Sequence, residues 1–336
     1  MKRIGLLLCA GALVVSAACE KDSGLSSKTS GSIRKEESAL LAHLPSGNVG
    51  LFGGNYLRIQ DFFQNSAFSK LMGDMEKMSP GMKEWTTCFV QTGSKKLQML
   101  GAFSYADDGI TMRYVMKGFG VEDVKTCAQK AGYPVDVDAD GKYVSIGMAT
   151  AMGPMRTGYL VLDDGALLTR AAMPMPPTGM MPSPATRADL EADVALAARG
   201  SAADDRSLVA ELARIDRDRA VWFVADATNT PIGDKLGALR GWVDINKGLA
   251  MDVSFQLKDS AMADEIARGI PEMKKQADML GKDVGNVIRS IKFERNGDRL
   301  RFGVSITEQQ LERLMTQMAP FMGGGLGGGG GDFGGF

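Results

Sequence analysis

The sequence predicts an α+β fold made of two tandem copies of one unit, each an antiparallel sheet with helices packed on one face. Three observations lead to this prediction. Apolar residues alternate with period two in several stretches, which is typical of half-buried antiparallel strands. Amphipathic helical patterns follow these stretches, and the same order of elements occurs in both halves of the chain.

The internal repeat is clearest at two predicted hairpins. The first strand of each hairpin covers Ala102–Tyr105 in the first copy and Gly241–Asp244 in the second. Each strand is followed by a glycine turn, at Gly109 or Gly248, and then by an alternating strand and an amphipathic helix. The apolar positions of these strands and helices are Ile110, Met112, Tyr114, Met116, Val121, Val124 and Ala128 in the first copy, and Leu249, Met251, Val253, Phe255, Met262, Ile266 and Ile270 in the second.

The similarity between the copies extends in both directions. Upstream, the predicted helix and strand of residues 39–52 match those of residues 209–223 in order and patterning. Downstream, each copy ends in a hairpin whose turn is Asp140-Gly141 or Asn296-Gly297, pairs that suit a type I′ turn because both central residues need positive φ. The first copy carries an insertion over residues 62–92, and the second carries extra helix over residues 271–289.

The predicted domain boundaries follow from changes in composition. Residues 36–171 are predicted to form the first α+β domain, residues 172–185 a linker rich in proline and methionine, and residues 186–318 the second domain. Thr186 and Asp189 form a capping box that opens a helix, and Gly200 lies where that helix should end. Residues 319–336 are rich in glycine and are expected to form a disordered tail.

The N-terminus has the layout of a secretory signal over residues 1–18. Two basic residues precede an apolar stretch, Ile4–Val15, which is shorter than the roughly 20 residues that a helix needs to span a bilayer. The run Ala17-Ala18-Cys19 resembles the end of the bacterial lipobox, although Ser16 stands where leucine is usual. This resemblance implies cleavage before Cys19 and lipid chains on that cysteine. An ordinary signal-peptidase site with Cys19 as a bystander is the alternative.

The mature chain is expected to begin with a flexible tether, residues 19–35, which is polar and rich in serine and glycine. The signal and the repeated pattern together resemble uncharacterised envelope lipoproteins with duplicated α+β domains. Because Glu20 rather than an aspartate follows Cys19, the sorting rule of enteric bacteria suggests the outer membrane, with the protein facing the periplasm. The expected contact with the membrane is the lipid anchor.

Charge and cysteine content bear on two further points: nucleic-acid binding and a disulfide. The 40 acidic and 39 basic residues are interspersed, whereas a protein that binds nucleic acid is expected to show a basic stripe. Of the four cysteines, Cys9 leaves with the signal and Cys19 carries lipid, which leaves Cys88 and Cys127. An oxidising envelope compartment favours a disulfide between these two. The alternative is a pair of buried free thiols.

Two features of the sequence are compatible with a metal. Asp136, Asp138, Asp140 and Gly141 copy the opening of a calcium loop, but Gly147 stands where that pattern needs a bidentate glutamate. A solvated hairpin turn is the simpler interpretation. Methionine sulfur can select Cu(I), although methionines more often fill gaps in a core. The methionines in question are Met72, Met75, Met78 and Met82 on one predicted helix face, and Met173, Met175, Met180 and Met181 in the linker.

The sequence offers little for catalysis. His43 is the single histidine and is predicted to end a short helix, and no motif of a serine hydrolase, metalloprotease or phosphate loop is present. The acidic pairs Asp107-Asp108 and Asp163-Asp164 are expected in solvated turns. We therefore expect a non-catalytic binding or scaffolding lipoprotein without a cofactor, whose partner is an envelope protein, a peptide or a lipid. A lipoprotein that handles copper or calcium is the alternative, and an envelope hydrolase is a third.

Overall fold

The computed structural model describes residues 31–55, 79–92, 97–106, 109–150, 153–174, 183–230, 233–246 and 248–314. Within these ranges the protein is mixed α+β, as predicted, and its strands form one large antiparallel sheet. In the described part of the chain, no helix is both long and apolar enough to cross a bilayer.

The strands range in length from two residues to eleven. They are β1 (Gly50–Asn55), β2 (Gln98–Ala106), β3 (Gly109–Lys117), β4 (Val135–Val137), β5 (Tyr143–Thr150), β6 (Gly153–Val161), β7 (Leu167–Pro174), β8 (Ser183–Pro184), β9 (Val221–Asp226), β10 (Leu236–Asn246), β11 (Gly248–Leu257), β12 (Lys292–Asn296) and β13 (Arg299–Thr307).

The helices are mostly short, and several are followed or preceded by a single 3₁₀ turn. They are α1 (Lys35–Leu41), α2 (Met82–Thr92), α3 (Val121–Lys130), α4 (Arg187–Ala197), α5 (Arg206–Leu212), α6 (Ser260–Gln276) and α7 (Lys282–Ser290), with 3₁₀ turns at Ala202–Asp204, Ala227–Asn229 and Ala277–Leu280 and a further helix over residues 308–314.

The two halves of the chain share the sheet. Its strands follow one another in the order β12-β13-β11-β10-β9-β1-β2-β3-β7-β6-β5-β4, and β8 pairs with β7. The antiparallel pair β1–β9 joins the halves at the centre, where Phe52 lies opposite Phe223. Two separate sheets were expected. The structure has one because the first strand of each half pairs with the first strand of the other, which removes two edges that would otherwise be open to other chains.

Helices cover both faces of the sheet, whereas the sequence predicted one face. Consecutive residues of a strand point to opposite faces, and on β7 Leu168 belongs to one core while Leu167 belongs to another. The first core lies under α1, α4 and α5 and takes residues from both halves, among them Leu100 and Trp222. On the opposite face, α2 and α3 cover the first half, and α6 and α7 cover the second.

Helix α4 packs on the first half of the sheet, although its sequence was assigned to the second domain. The predicted capping box is present: Asp189 N donates to Thr186 Oγ1 at 3.2 Å, and Thr186 N donates to Asp189 Oδ2 at 2.9 Å. Asp193 of α4 is fully buried and accepts a hydrogen bond of 2.8 Å from Arg113 Nε on β3. This ion pair and the contacts of α4 with β6 and β7 fix the helix against the first half.

Both predicted hairpins, β4–β5 and β12–β13, are present and lie at the two ends of the sheet. Their turn glycines, Gly141 and Gly297, have φ of 70° and 61°. Neither predicted pair is the central pair of its turn: Gly141 N donates to the carbonyl oxygen of Asp138, and Asn296 pairs with Arg299, which makes Gly297-Asp298 the central residues. Gly248, in the turn between β10 and β11, has φ of 140°, and a Cβ there would overlap the carbonyl oxygen of Ile306. In strand order the first half differs from the second because β7 and β6 lie between β3 and β5.

Candidate binding site

A cleft of about 390 Å³ lies between α6 and α7. Helix α6 contributes residues spaced three and four apart, which places them on one face of the helix. Its lining is mostly apolar, and among the described lining residues Glu272 is the one with an ionisable side chain. The lining residues are Gly269, Glu272, Met273 and Gln276 from α6, Met279 from the following 3₁₀ turn, and Ile288 from α7.

The two ends of α6 have different surroundings. Ala263 is buried against the sheet, and Met262 and Ile266 pack against the same core as β10, β11 and β13. These residues confirm the amphipathic pattern that the sequence predicted for this helix. Met273 follows Ile266 by seven residues, so it lies on nearly the same side of the helix, and there it lines the cleft. The first half of α6 is therefore held against the core, while its second half forms one wall of the cleft.

Two close contacts hold the second wall in place. Lys274 Nζ donates a hydrogen bond of 2.6 Å to the carbonyl oxygen of Ile291, just after α7. Gly285 of α7 approaches the turn that follows α6, so that a Cβ on it would lie 2.8 Å from the carbonyl oxygen of Ala277. Only a glycine allows α7 to come this near, and the width of the cleft depends on that approach.

Met279 at the mouth of the cleft is 78% exposed. A methionine side chain is flexible and polarizable, so it adapts to apolar partners of different shape. Single exposed apolar residues are common on protein surfaces. Here the exposed methionine adjoins Met273 and Ile288 in a concave lining, which is the usual form of a site for an apolar group.

The three aspartates of the predicted calcium loop are drawn into ion pairs with arginines. Arg187, the first residue of α4, lies 2.9 Å from Asp138 and 2.6 Å from Asp140, and Arg156 lies 3.1 Å from Asp136. Among the described residues, no three His, Cys, Asp or Glu side chains are placed to hold a metal. Asp138 and Asp140 thus connect the β4–β5 turn to α4, and Asp136 connects β4 to β6.

The pKa of Asp140 is lowered to about 2 by the side-chain hydrogen bonds from Arg187 and by the backbone N–H of Lys142. Arg187 also lies 2.7 Å from Glu191 on the next turn of α4, so one guanidinium serves three carboxylates. A cation that entered this turn would have to displace the arginine, because like charges at this distance repel.

The disulfide prediction is confirmed. Cys88 of α2 and Cys127 of α3 are bonded, with their Cα atoms 5.3 Å apart and 39 residues of sequence separation. Both cysteines are buried in the core under these helices. The Thr92 hydroxyl lies 3.6 Å from the Cys88 sulfur and 3.8 Å from the Cys127 sulfur. The bridge therefore joins the two helices that cover the first half of the sheet.

Other predicted residues fall in several places. Cys19, the acidic pair Asp107-Asp108 and most of the methionines named above lie outside the described residues. His43 was predicted to end a short helix; it lies two residues after the last residue of α1, with its Nε2 3.4 Å from Asp164 Oδ2 in the turn between β6 and β7. Hydrogen bonds from Lys117 lower the pKa of Asp164 to about 2.

Sequence reasoning missed the site that holds the end of the tether. Arg217 is fully buried, and its guanidinium donates to the carbonyl oxygens of Ser32 at 2.7 Å, Gly31 at 3.2 Å and Leu212 at 2.6 Å. Its Nε also lies 3.1 Å from Glu37. Residues 31–34 are thus fixed to the body, and the tether predicted over residues 19–35 is shorter at this end. A single arginine in a charged loop gave no signal of this role.

Comparisons with known proteins add little. No family model matches the chain, and a search of curated proteins finds no match. Among solved structures, the chain is similar to one described as crystal form I of TP0453, with 12% identity and a TM-score of 0.37. That match covers 83% of this chain and 96% of the other. A likeness at this level carries no functional conclusion.

Proposed function

We propose that this protein is a lipid-anchored lipoprotein on the periplasmic side of the outer membrane, with a non-catalytic binding or scaffolding role. The observation that carries the binding role is the apolar cleft between α6 and α7, whose wall includes the exposed Met279. Its shape and lining suit the apolar part of a peptide, an envelope protein or a lipid. Glu272 is the one ionisable side chain among the described lining residues, whereas hydrolysis needs a paired acid and base.

The anchored location rests on the N-terminal sequence. A signal ending in Ala17-Ala18-Cys19 and a polar stretch after it suit a lipoprotein whose body is carried away from the membrane. The contacts of Arg217 with Gly31 and Ser32 are consistent with this, because a tether that bears the body needs a firm attachment.

The two halves are also proposed to be copies of one unit. On either side of the β1–β9 pair, each half continues with a hairpin, β2–β3 or β10–β11, and reaches the sheet edge with a second hairpin. The hairpin turns have matching glycines, since Gly109 has φ of 155° and Gly248 has φ of 140°. A close superposition of β1–β3 on β9–β11 in an experimental structure is expected, and a different twist or register in the two halves would contradict the duplication.

Two measurements test the proposal. Mass spectrometry of the protein extracted from membranes without reductant is expected to show lipid mass on a chain that begins at Cys19. A mature chain without lipid would refute the anchor.

The cleft is tested separately by methionine-methyl NMR during titration with decanoate, as an acyl-chain probe, and with a short leucine- and phenylalanine-rich peptide. At least one probe is expected to shift the methyl signals of Met273 and Met279. Met273→Asp should abolish the shift of the Met279 methyl signal, while Val194→Asp, which also places an acidic residue at an apolar position, here an exposed one on α4, should leave both shifts unchanged. Shifts that survive Met273→Asp, or none with either probe, would refute binding in the cleft.

A further inference from the structure

Three arginines lie on one face of the sheet in the second half. It is the face on which Trp242 packs against the first core. Arg240 precedes Trp242 by two residues on β10, so both point to the same face. Arg299 lies on that face of β13, since the adjacent Leu300 belongs to the core on the other side. Arg214, just after α5, reaches the same place from the helix layer. Arg214, Arg240 and Arg299 are called the arginine strip below.

The three arginines of the strip carry more positive charge than the single carboxylate among them, Glu211, can neutralise. Glu211 accepts from Arg214 Nη1 at 2.5 Å and from Arg240 Nη1 at 2.9 Å, so one carboxylate serves two guanidinium groups. Arg299 donates to the neutral amide oxygen of Gln256 at 3.0 Å. Burial and the positive charge of Arg299 lower the pKa of Arg240. A bound anion would relieve this repulsion.

The groups next to the strip reduce its surplus without removing it. Arg301 lies 2.7 Å from Asp252 and 3.7 Å from Glu294. The strip and Arg301 together hold four arginines against three carboxylates, Glu211, Asp252 and Glu294, so one positive charge remains there. Four residues further along β10 on the same face, Asp244 and Asp216 together hold Arg219, so the surplus is confined to the strip. Guanidinium groups on the half-exposed face of a sheet match the oxygens of a phosphate in charge and geometry.

The strip lies beside the point where the tether joins the body. Arg214 comes three residues before Arg217, which holds the carbonyl oxygens of Gly31 and Ser32. Gly31 follows Cys19 by 12 residues. The flexible tether that the composition predicts would span about 17–21 Å over these 12 residues on average. A membrane that holds lipid on Cys19 would therefore be within reach of this side of the body.

We infer that the arginine strip binds the phosphate of anionic lipid headgroups on the membrane that anchors the protein. The inference rests on the proposed lipid anchor for its choice of lipid over free phosphate. Two observations support the inference: the positive charge of the strip, and its closeness to residues 31 and 32, where the tether joins the body. The strip would orient the body, so that the sheet face beside α5 faces the membrane and the α6–α7 cleft on the opposite sheet face turns away from it.

The test is flotation of the mature chain with Cys19→Ser, so that lipidation has no part in the result. Vesicles contain either phosphatidylcholine alone or equal parts of phosphatidylcholine and phosphatidylglycerol. Binding is expected with the anionic vesicles and is expected to fall as salt is raised. Each arginine near an anionic surface contributes about fivefold in partitioning, so Arg299→Gln should weaken binding about fivefold and Arg240→Gln with Arg299→Gln about 25-fold.

Arg295→Gln is the matched control, because Arg295 on β12 pairs with Leu300, the residue after Arg299, and therefore points to the opposite face. It removes the same charge and should change binding by less than about twofold. Circular dichroism and thermal unfolding confirm that each variant folds. Equal flotation with both vesicle types, or an equal effect of Arg295→Gln, would overturn the inference. Saturable binding of inorganic phosphate in calorimetry without flotation would also overturn it, by identifying a site for a free anion. Absence of lipid on native Cys19 would refute the proposed anchor. The flotation assay would still decide whether the arginine strip binds anionic lipid, because it uses the chain without lipid.

Discussion

Replacing both Cys88 and Cys127 by alanine is expected to lower the free energy of unfolding by about 4 kcal/mol. The bridge closes a loop with 39 residues of separation, and for such a loop the chain-entropy model gives about 4 kcal/mol at 25 °C. Both cysteines are buried between α2 and α3, so opening the bridge also loosens the cover of the first half of the sheet. The native helices can remain in place, because the same core includes Val124 and Phe119.

Urea unfolding followed by circular dichroism measures the effect in the mature chain that carries Cys19→Ser. With an m-value of about 3 kcal/mol/M, the midpoint is expected to fall by about 1.3 M. The m-value should also rise, because an unfolded chain without the bridge exposes more surface.

Val124→Ala serves as the control for lost packing. It should cost about 1–3 kcal/mol without changing the m-value, because no crosslink is opened. Wild-type protein unfolded with reductant should behave like the alanine pair. A loss of less than about 1 kcal/mol in the alanine pair would refute the reasoning, since it would mean that the bridge does not restrict the unfolded chain.

Three further changes test the packing and electrostatics. Asp193→Asn should cost about 3–5 kcal/mol in urea unfolding, because it leaves Arg113 buried without its charge partner; a cost below 1 kcal/mol would contradict this. Gly285→Ala should destabilise by about 1–3 kcal/mol through backbone overlap, whereas Gly269→Ala, which has open space around it, should be neutral or stabilising. Asp140 should titrate near pH 2 by NMR. Because its folded pKa is lowered, its contribution to stability is present above pH 4 and is lost as the pH falls towards 2; a pKa near 3.8 would show that its arginine partner is absent.

Local features of the fold could be predicted because they depend on neighbouring residues. The positions of the two edge hairpins follow from the turn residues around Gly141 and Gly297, and the Thr186 capping box follows from spacing along one helix turn. The disulfide could be predicted by elimination, since the expected signal and the expected lipidation of Cys19 account for the other cysteines.

Features that depend on distant parts of the chain could not be predicted. Arg187 and Asp140 are 47 residues apart, and nothing in the acidic loop indicates that an arginine occupies it. Arg217 and Gly31 are 186 residues apart. The cleft also depends on how near α7 comes to α6. Gly285 permits this approach, but a glycine at this position does not predict it. Periodicity reports which face of an element is apolar, and it carries no information on which element covers that face.

The two halves are joined at the centre of the sheet because glycines lie opposite aromatic residues there. The sequence contains these residues, but their pairing is seen only in the strand register. Phe103 lies over Gly50 on the neighbouring strand, and Phe52 lies over Gly101 in the same way. Glycine in a strand interior weakens the strand, but an aromatic ring on the opposite residue fills the space that its missing side chain leaves. A Cβ at Gly50 would also approach the carbonyl oxygen of Val224 on β9, to 2.8 Å. The glycines therefore allow β9 and the rings to approach β1 together, which favours this pairing at the centre of the sheet over two separate sheets with open edges.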